Sequence, residues 1–463
     1  MARDAAMLVR PVVLQGDYDL LALHSGNPGR YPYLLESVAT AAEGQTGGES
    51  FDILFGFPGR TLLLDEHFSL HGAQGNERQQ FLPALDEWWL SHRVAEDPLT
   101  VLPFHGGWFV YLGYELVQQI EPSIRATVPA SGPVAFATRI PVALVRSRRT
   151  GMAWIVAEAA HAEAVDELRQ DLERYGTGVS ASAGTRESQV TSLSEPRAEL
   201  FLAAVAEIRE RIARGEVYQV NLARHWLATV REGVRPADIY GRLRQSNPAP
   251  YAGIATCGDW TLISSSPERL VRSRGGTVET RPIAGTRPTA DHPSLEEARR
   301  LELLANPKER AEHIMLLDLE RNDLGRISKP GSVEVDEFMA VESYAHVHHI
   351  VSNVRGQLRD DVSPGGIIRA LFPGGTITGC PKIRCMEIIA ELEGQARGPY
   401  TGSMGYLNRD GSCDLNILIR TFVMRGRTLS FAAGSGIVAD SEPARELEET
   451  RAKAKGLLLA LGA

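Results

Sequence analysis

The sequence predicts an α+β protein, and three observations carry that prediction. Strand-like runs come in neighbouring pairs rather than in strict strand–helix–strand alternation, which disfavours a doubly wound parallel sheet. Apolar residues recur at helical spacing in segments such as AEAVDELRQDLERY and AELFLAAVAEIRERIARGE. The 463 residues, 43% hydrophobic and 23% charged, are ordinary globular usage, with material for two or three units.

Taken in order, Phe51-Asp-Ile-Leu-Phe and Gly107-Trp-Phe-Val-Tyr-Leu read as strands, and the segment from Ala162 reads as a helix. Residues 176–196, GTGVSASAGTRESQVTSLSEP, hold almost no large apolar side chain and read as a linker or exposed loop. They separate an N-terminal subdomain, 1–175, from a C-terminal domain, 197–463. The second part opens on a helix that stops near Gly215. TLISSS, HVHHIVSNV, LNILIRTFVMR and TLSFAAGSGIVA follow as strands among long helices.

Composition excludes several functions. With 49 Lys+Arg against 58 Asp+Glu the net charge is −9, so no general affinity for nucleic acid is expected. A locally positive pocket for a small anion remains open. The four cysteines include no C-x-x-C pair, against a zinc ribbon or thioredoxin motif. No window approaches 18 apolar residues, and the N-terminal apolar stretch is broken by Arg10 and Pro11. The expectation is a cytoplasmic protein with no membrane partner.

Several segments could carry chemistry. Pro307 can open a helix on which Glu309 and Glu312 share a face, and Glu446 and Glu449 have the same spacing. Each pair alone reads as solvated helix surface; two pairs facing one cavity would suit Mg²⁺. In YAHVHHIVSNV, alternation puts His346 and His348 on one face and His349 on the other. That rules out a three-histidine metal site without a bulge, leaving a proton donor or a buried structural histidine. LFPGGTITGCPK has the spacing of a phosphate loop, but Cys380-Pro381 stand where Lys-Ser/Thr is needed. Its amides, running into a helix, can still meet an anion. Arg420 in NILIRTF, an apolar strand on this reading, needs a carboxylate partner from protein or substrate. TGSMGYL and AAGSGIVADS add Tyr406, Gly434, Ser435 and Gly436 as candidate lining.

In this order the segments resemble the chorismate-utilising enzymes. The strings are GEVYQVNLAR, SSSPERL, ETRPIAGTRP, ERAEHIMLLDLERNDLGR, HVHHIVS, FPGGTITGCPKIRCMEII, GSMGYL, IRT, GSGIVADS and ELEETRAKA. The resemblance covers residues 198–460 strongly and the N-terminal part loosely. It implies two orthogonally packed, mostly antiparallel β-sheets sandwiched between helices, and a site in 197–463 that binds chorismate with Mg²⁺. Carried over by position, it makes Glu312 and Glu449 metal ligands, with Glu309 and Glu446 holding waters or assisting. Arg420, Tyr406 and the amides near Gly434 and Gly436 would bind the enolpyruvyl carboxylate. His349 would assist departure of the ring 4-hydroxyl, and Thr378, Gly379, Gly285 and Thr286 would line the ring pocket. YPYLLESVA, with Glu36 and Ser37, and SNPAPYAG, with Pro250 and Tyr251, resemble strings that bind tryptophan in this family; plain core packing is the competing reading.

Family members that add water to chorismate carry a lysine base where this chain has Gln219, and a neutral amide cannot act as that base. The resemblance therefore implies the aminating branch, in which ammonia is already a nucleophile. FPGGTITGCPK, GSMGYL and NILIRT resemble the branch that aminates C4 to give 4-amino-4-deoxychorismate for folate synthesis. Pro282-Ile-Ala-Gly-Thr286 points the other way: well-known C4-aminating members have a nucleophilic lysine where Ala284 stands, and the alanine form is anthranilate-type. C4 amination is the expectation, anthranilate formation the alternative, and a non-catalytic aromatic amino acid sensor a second alternative. No G-x-C-x-G elbow occurs, so a separate glutamine amidotransferase subunit is expected to supply ammonia.

Overall fold

The computed structural model describes residues 7–14, 18–39, 50–72, 80–96, 101–129, 131–175, 187–288, 301, 305–343 and 347–463. Every strand pairing among them is antiparallel. One sheet runs from Met7–Val12 through Phe51–Gly56, Tyr33–Glu36, Tyr251–Cys257, Trp260–Ser266, Thr421–Arg425 and Thr428–Ile437 to Gln219–Val230 and Val190–Ser194. The other runs from Ile283–Pro288 through Val347–Gln357, Arg269–Arg274, Cys413–Asn416, Ser403–Asn408 and Gly107–Leu112 to Leu70–His71.

Strand Gly107–Leu112 shows how the layers form, because all six of its residues are buried. Successive side chains of a strand point to opposite faces. Phe109 and Tyr111 accordingly join Tyr33, Phe55, Val145 and Leu262 of the first sheet in an apolar layer between the sheets. Tyr33 and Phe109 stack there with ring centroids 4.0 Å apart. Trp108, Val110 and Leu112 point outward into a second core shared with helices Phe81–His92, Pro307–Gly325 and Pro364–Leu371. Helices Ala164–Tyr175, Pro236–Ser246 and Pro443–Leu461 cover the outer face of the first sheet. A run buried on both faces is what the uninterrupted GWFVYL string encodes.

Strands from before residue 176 lie inside both sheets, paired with strands from after residue 250. The sequence division at 176–196 thus marks no boundary between sheets. Residues 176–186 fall outside the described residues. Val190–Ser194, read above as linker, is an edge strand on Gln219–Val230, and its polarity follows from its exposure. A second correction concerns LNILIRTFVMR: the strand stops at Asn416 and resumes at Thr421. The chain crosses from one sheet to the other between them. No described helix is long and apolar enough to cross a membrane.

Candidate active site

Arg420 sits at that crossing. Its φ of 53° is left-handed, a conformation costing a non-glycine residue about 1–2 kcal/mol. The Ser265 N–H donates to its carbonyl at 3.1 Å and helps hold it there. The guanidinium is half-buried, and among the described residues no carboxylate lies in ion-pair contact with it. Burial pushes its pKa below the ordinary arginine value, and neighbouring Tyr400 works in the opposite direction. A half-buried cation with no carboxylate partner among the described residues is unfavourable until an anion arrives.

His349 lies close enough to feel that cation. Burial first, then the charge of Arg420, lower its pKa to about 4, and its ring bonds to the Gly285 backbone. The imidazole is therefore neutral at pH 7. Gly285 has φ 70° at a register shift between Ala284 and Thr286, so the strand bulges toward the histidine. His348, on the opposite face, is turned to Ser343 at 2.8 Å, and His346 lies outside the described residues.

The two glycines of GSG face one way. A methyl group on Gly434 would stand 2.5 Å from the Tyr400 hydroxyl and 2.7 Å from Asn221 Oδ1; one on Gly436 would stand 2.3 Å from Gln219 Nε2. Gln219 and Asn221 share a face of strand Gln219–Val230, and each carries a buried amide oxygen with no hydrogen-bond partner among the described residues. Gly379, at φ 131°, packs on the Gln219 carbonyl, where a side chain would come within 2.1 Å. Thr378 is fully buried, and its hydroxyl donates to the Gly374 carbonyl at 2.9 Å, which helps to hold the loop. Thr286 appears here only through its backbone pairing with His349.

The four glutamates lie on helices Pro307–Gly325 and Pro443–Leu461. Glu309 and Glu312 are partly buried. Glu446 is buried and accepts a hydrogen bond from Ser435. Glu449 pairs with Lys453 at 2.7 Å, and Lys453 also donates to the Gly434 carbonyl at 3.0 Å. Among the described residues no three His, Cys, Asp or Glu side chains gather as a metal cluster. Mg²⁺ needs only one or two carboxylates, with water and substrate oxygens completing its shell. The hard oxygen donors of Glu312 and Glu449 fit that requirement.

Sequence reasoning missed three groups that the fold brings in: Tyr400, Lys453 and Glu268. Burial pushes the Glu268 carboxyl up to about 7, helped by Glu320 and opposed by Thr376, the Ile283 backbone and Lys453. Its Oε1 has no hydrogen-bond partner among the described residues. A carboxyl half-protonated near neutrality is a candidate proton donor. Its folded pKa is raised, so its contribution to stability is greatest at low pH and falls as pH rises from about 4.5 toward 7. Glu268→Gln is expected to raise stability at pH 8, by on the order of 3 kcal/mol, while lowering turnover; paired thermal melts and rates at pH 5 and 8 check both. The signals were present as SPERL, RGPYTG and ETRAKA, but spacing alone did not place them.

Tyr406 is a correction. It lies beside a separate cavity of about 110 Å³, together with Glu36, Ser37, Pro250 and Tyr251. Strand alternation and the neighbouring Phe104 ring, 5.9 Å away, hold it there rather than beside Arg420. The four candidate tryptophan-site residues do meet around this cavity. The Glu36 carboxylate, however, is taken up by Tyr240 at 2.8 Å, Arg244 at 3.1 Å and Arg148 at 3.2 Å.

The fold and this cluster define a chorismate-converting enzyme: residues 58–459 match the chorismate binding enzyme family, and the chain belongs to it. A Synechocystis sp. protein described as anthranilate synthase component I-like is 38% identical over 443 residues, 90% of each chain. Aminodeoxychorismate synthase component 1 of Bacillus subtilis is 49% identical over 261 residues, 56% of this chain and 55% of the relative. The crystal structure of anthranilate synthase component I from Streptococcus pneumoniae superposes with a TM-score of 0.77 at 30% identity, over 88% of this chain and 92% of that one.

Proposed function

We propose that the chain aminates chorismate at C4 to give 4-amino-4-deoxychorismate, with ammonia delivered by a glutamine amidotransferase subunit. The observation that carries the chorismate part is Arg420, a half-buried guanidinium in ion-pair contact with no carboxylate among the described residues, close to Tyr400, whose hydroxyl in turn lies against the bare backbone of Gly434. Such a pocket takes a carboxylate by two parallel hydrogen bonds. The preference for C4 rests on the FPGGTITGCPK, GSMGYL and NILIRT strings.

Neutral His349 and half-protonated Glu268 are the candidates for holding the proton that a leaving hydroxyl needs. Gln219 is an amide and takes no proton near pH 7, which fits a nucleophile that needs no base. Glu312 and Glu449 would hold Mg²⁺, with Glu309 and Glu446 beside them. The ion, when bound, supplies Lewis-acid stabilisation of charge on the ring carboxylate.

Ala284 favours a second reading, anthranilate formation, because a methyl group cannot shield C2 as a covalent lysine would. The test is product identification from chorismate, ammonium and Mg²⁺. Anthranilate fluoresces directly; 4-amino-4-deoxychorismate needs a lyase to become 4-aminobenzoate. The expected main product is the C4 amine, with some C2 amine and no chorismate-derived mass adduct on the protein. Dominant anthranilate would move the chain to the second reading, and an adduct on any lysine would refute the lysine-free route.

A further inference from the structure

Arg397 follows helix Lys382–Glu393 and is almost wholly buried, with 4% of its surface exposed. Its Nε and Nη2 donate to Glu393 at 2.9 and 2.6 Å. Nη2 also donates to the Asn221 carbonyl at 2.7 Å. Nη1 donates to the Ile377 carbonyl at 3.1 Å and to the Thr401 hydroxyl at 3.3 Å. The guanidinium also lies 5.0 and 5.5 Å from the ring centroids of Tyr114 and Tyr400.

A charge that served only to pair with Glu393 would need none of the other contacts. Apart from the Tyr114 ring, they reach three segments packed around Tyr400: the strand carrying Gln219 and Asn221, the Gly374–Thr378 loop, and the turn carrying Tyr400 and Thr401. Glu393 extends the tie, because its Oε1 also accepts the Ala223 N–H at 2.9 Å. With its charge neutralised and its donors engaged, Arg397 is unsuited to binding substrate itself. We propose that Arg397 is a positioning residue, which fixes Tyr400 beside Gly434 and Arg420 and makes these three segments one rigid unit. The inference rests on the reading that Arg420 receives the substrate carboxylate.

A planar five-donor fork is what the geometry requires, and a lysine ammonium cannot reproduce it. The test is a double-mutant cycle of Arg397→Lys and Tyr400→Phe, with KM for chorismate, KM for ammonium, kcat and thermal midpoint measured for each. Arg397→Lys is expected to raise the chorismate KM roughly tenfold while leaving the ammonium KM within about twofold. In the Tyr400→Phe background the same change is expected to add less than about twofold, because its effect passes through the phenol. Equal effects in both backgrounds, or equal rises in both KM values, would overturn the proposal. If melts show Arg397→Lys unfolded, Thr401→Val, which removes one Nη1 acceptor beside Tyr400, replaces it with the same direction of effect expected. Arg420→Lys is the control: should it leave the chorismate KM unchanged, the substrate reading fails rather than the role of Arg397.

Discussion

Replacing Arg420 by lysine is expected to lower kcat/KM for chorismate by roughly one to two orders of magnitude, the cost of a lost charged hydrogen bond. The charge survives the substitution and the backbone demand does not change, since lysine at φ 53° is as strained as arginine. What is lost is the planar fork, which alone can meet both oxygens of one carboxylate. Because no protein carboxylate among the described residues pairs with Arg420, the thermal midpoint is expected to stay near the parent's. Steady-state kinetics with melts of both proteins provide the measurement. A kcat/KM within about twofold of the parent would assign Arg420 a structural role.

Glu312→Gln and Glu449→Gln are each expected to remove nearly all turnover at limiting Mg²⁺ while leaving the fold intact. Each change swaps an anionic oxygen donor for a neutral amide, which a hard cation binds poorly. Both side chains lie at least partly open to solvent, so the isosteric change should cost little stability. Glu449→Gln has a second effect, since it frees Lys453 from its ion pair at 2.7 Å. Titrating Mg²⁺ against rate separates the two: a weakened metal site is partly restored at high Mg²⁺, and a misplaced lysine is not. Near-normal activity of either variant at limiting Mg²⁺ would end the metal assignment.

Much of this arrangement was legible in the sequence, and the failures have physical causes. Alternation in HVHHIVSNV put His348 and His349 on opposite faces, and the structure separates them that way. Gly434 and Gly436 were readable as lining because two glycines two residues apart bare one face of a strand. Tyr406 misled because it lies within a motif, whereas Tyr400 lies in a Gly-Pro turn that only tertiary folding brings to Arg420. The break at Ile417–Arg420 was invisible because its apolar residues bury as they would in a strand. Glu268 carries no signal in its local string, since its raised pKa comes from burial beneath segments far away in the chain.

The weaving of early strands between late ones has a consequence for how the chain is made. Gly107–Leu112 pairs on one side with Ala135–Ile140, but its other neighbour is Ser403–Asn408, translated roughly 300 residues later. At about 5–20 residues per second, the ribosome leaves that edge without its partner for roughly 15–60 s. Tyr33–Glu36 waits likewise for Tyr251–Cys257. The nascent N-terminal third therefore leaves the exit tunnel with apolar faces and open edges that only much later parts of the chain can close. Unpaired edges and exposed apolar faces of this kind are prone to aggregate during synthesis. Truncation shortly before residue 403 should give an aggregating product rather than a smaller working enzyme.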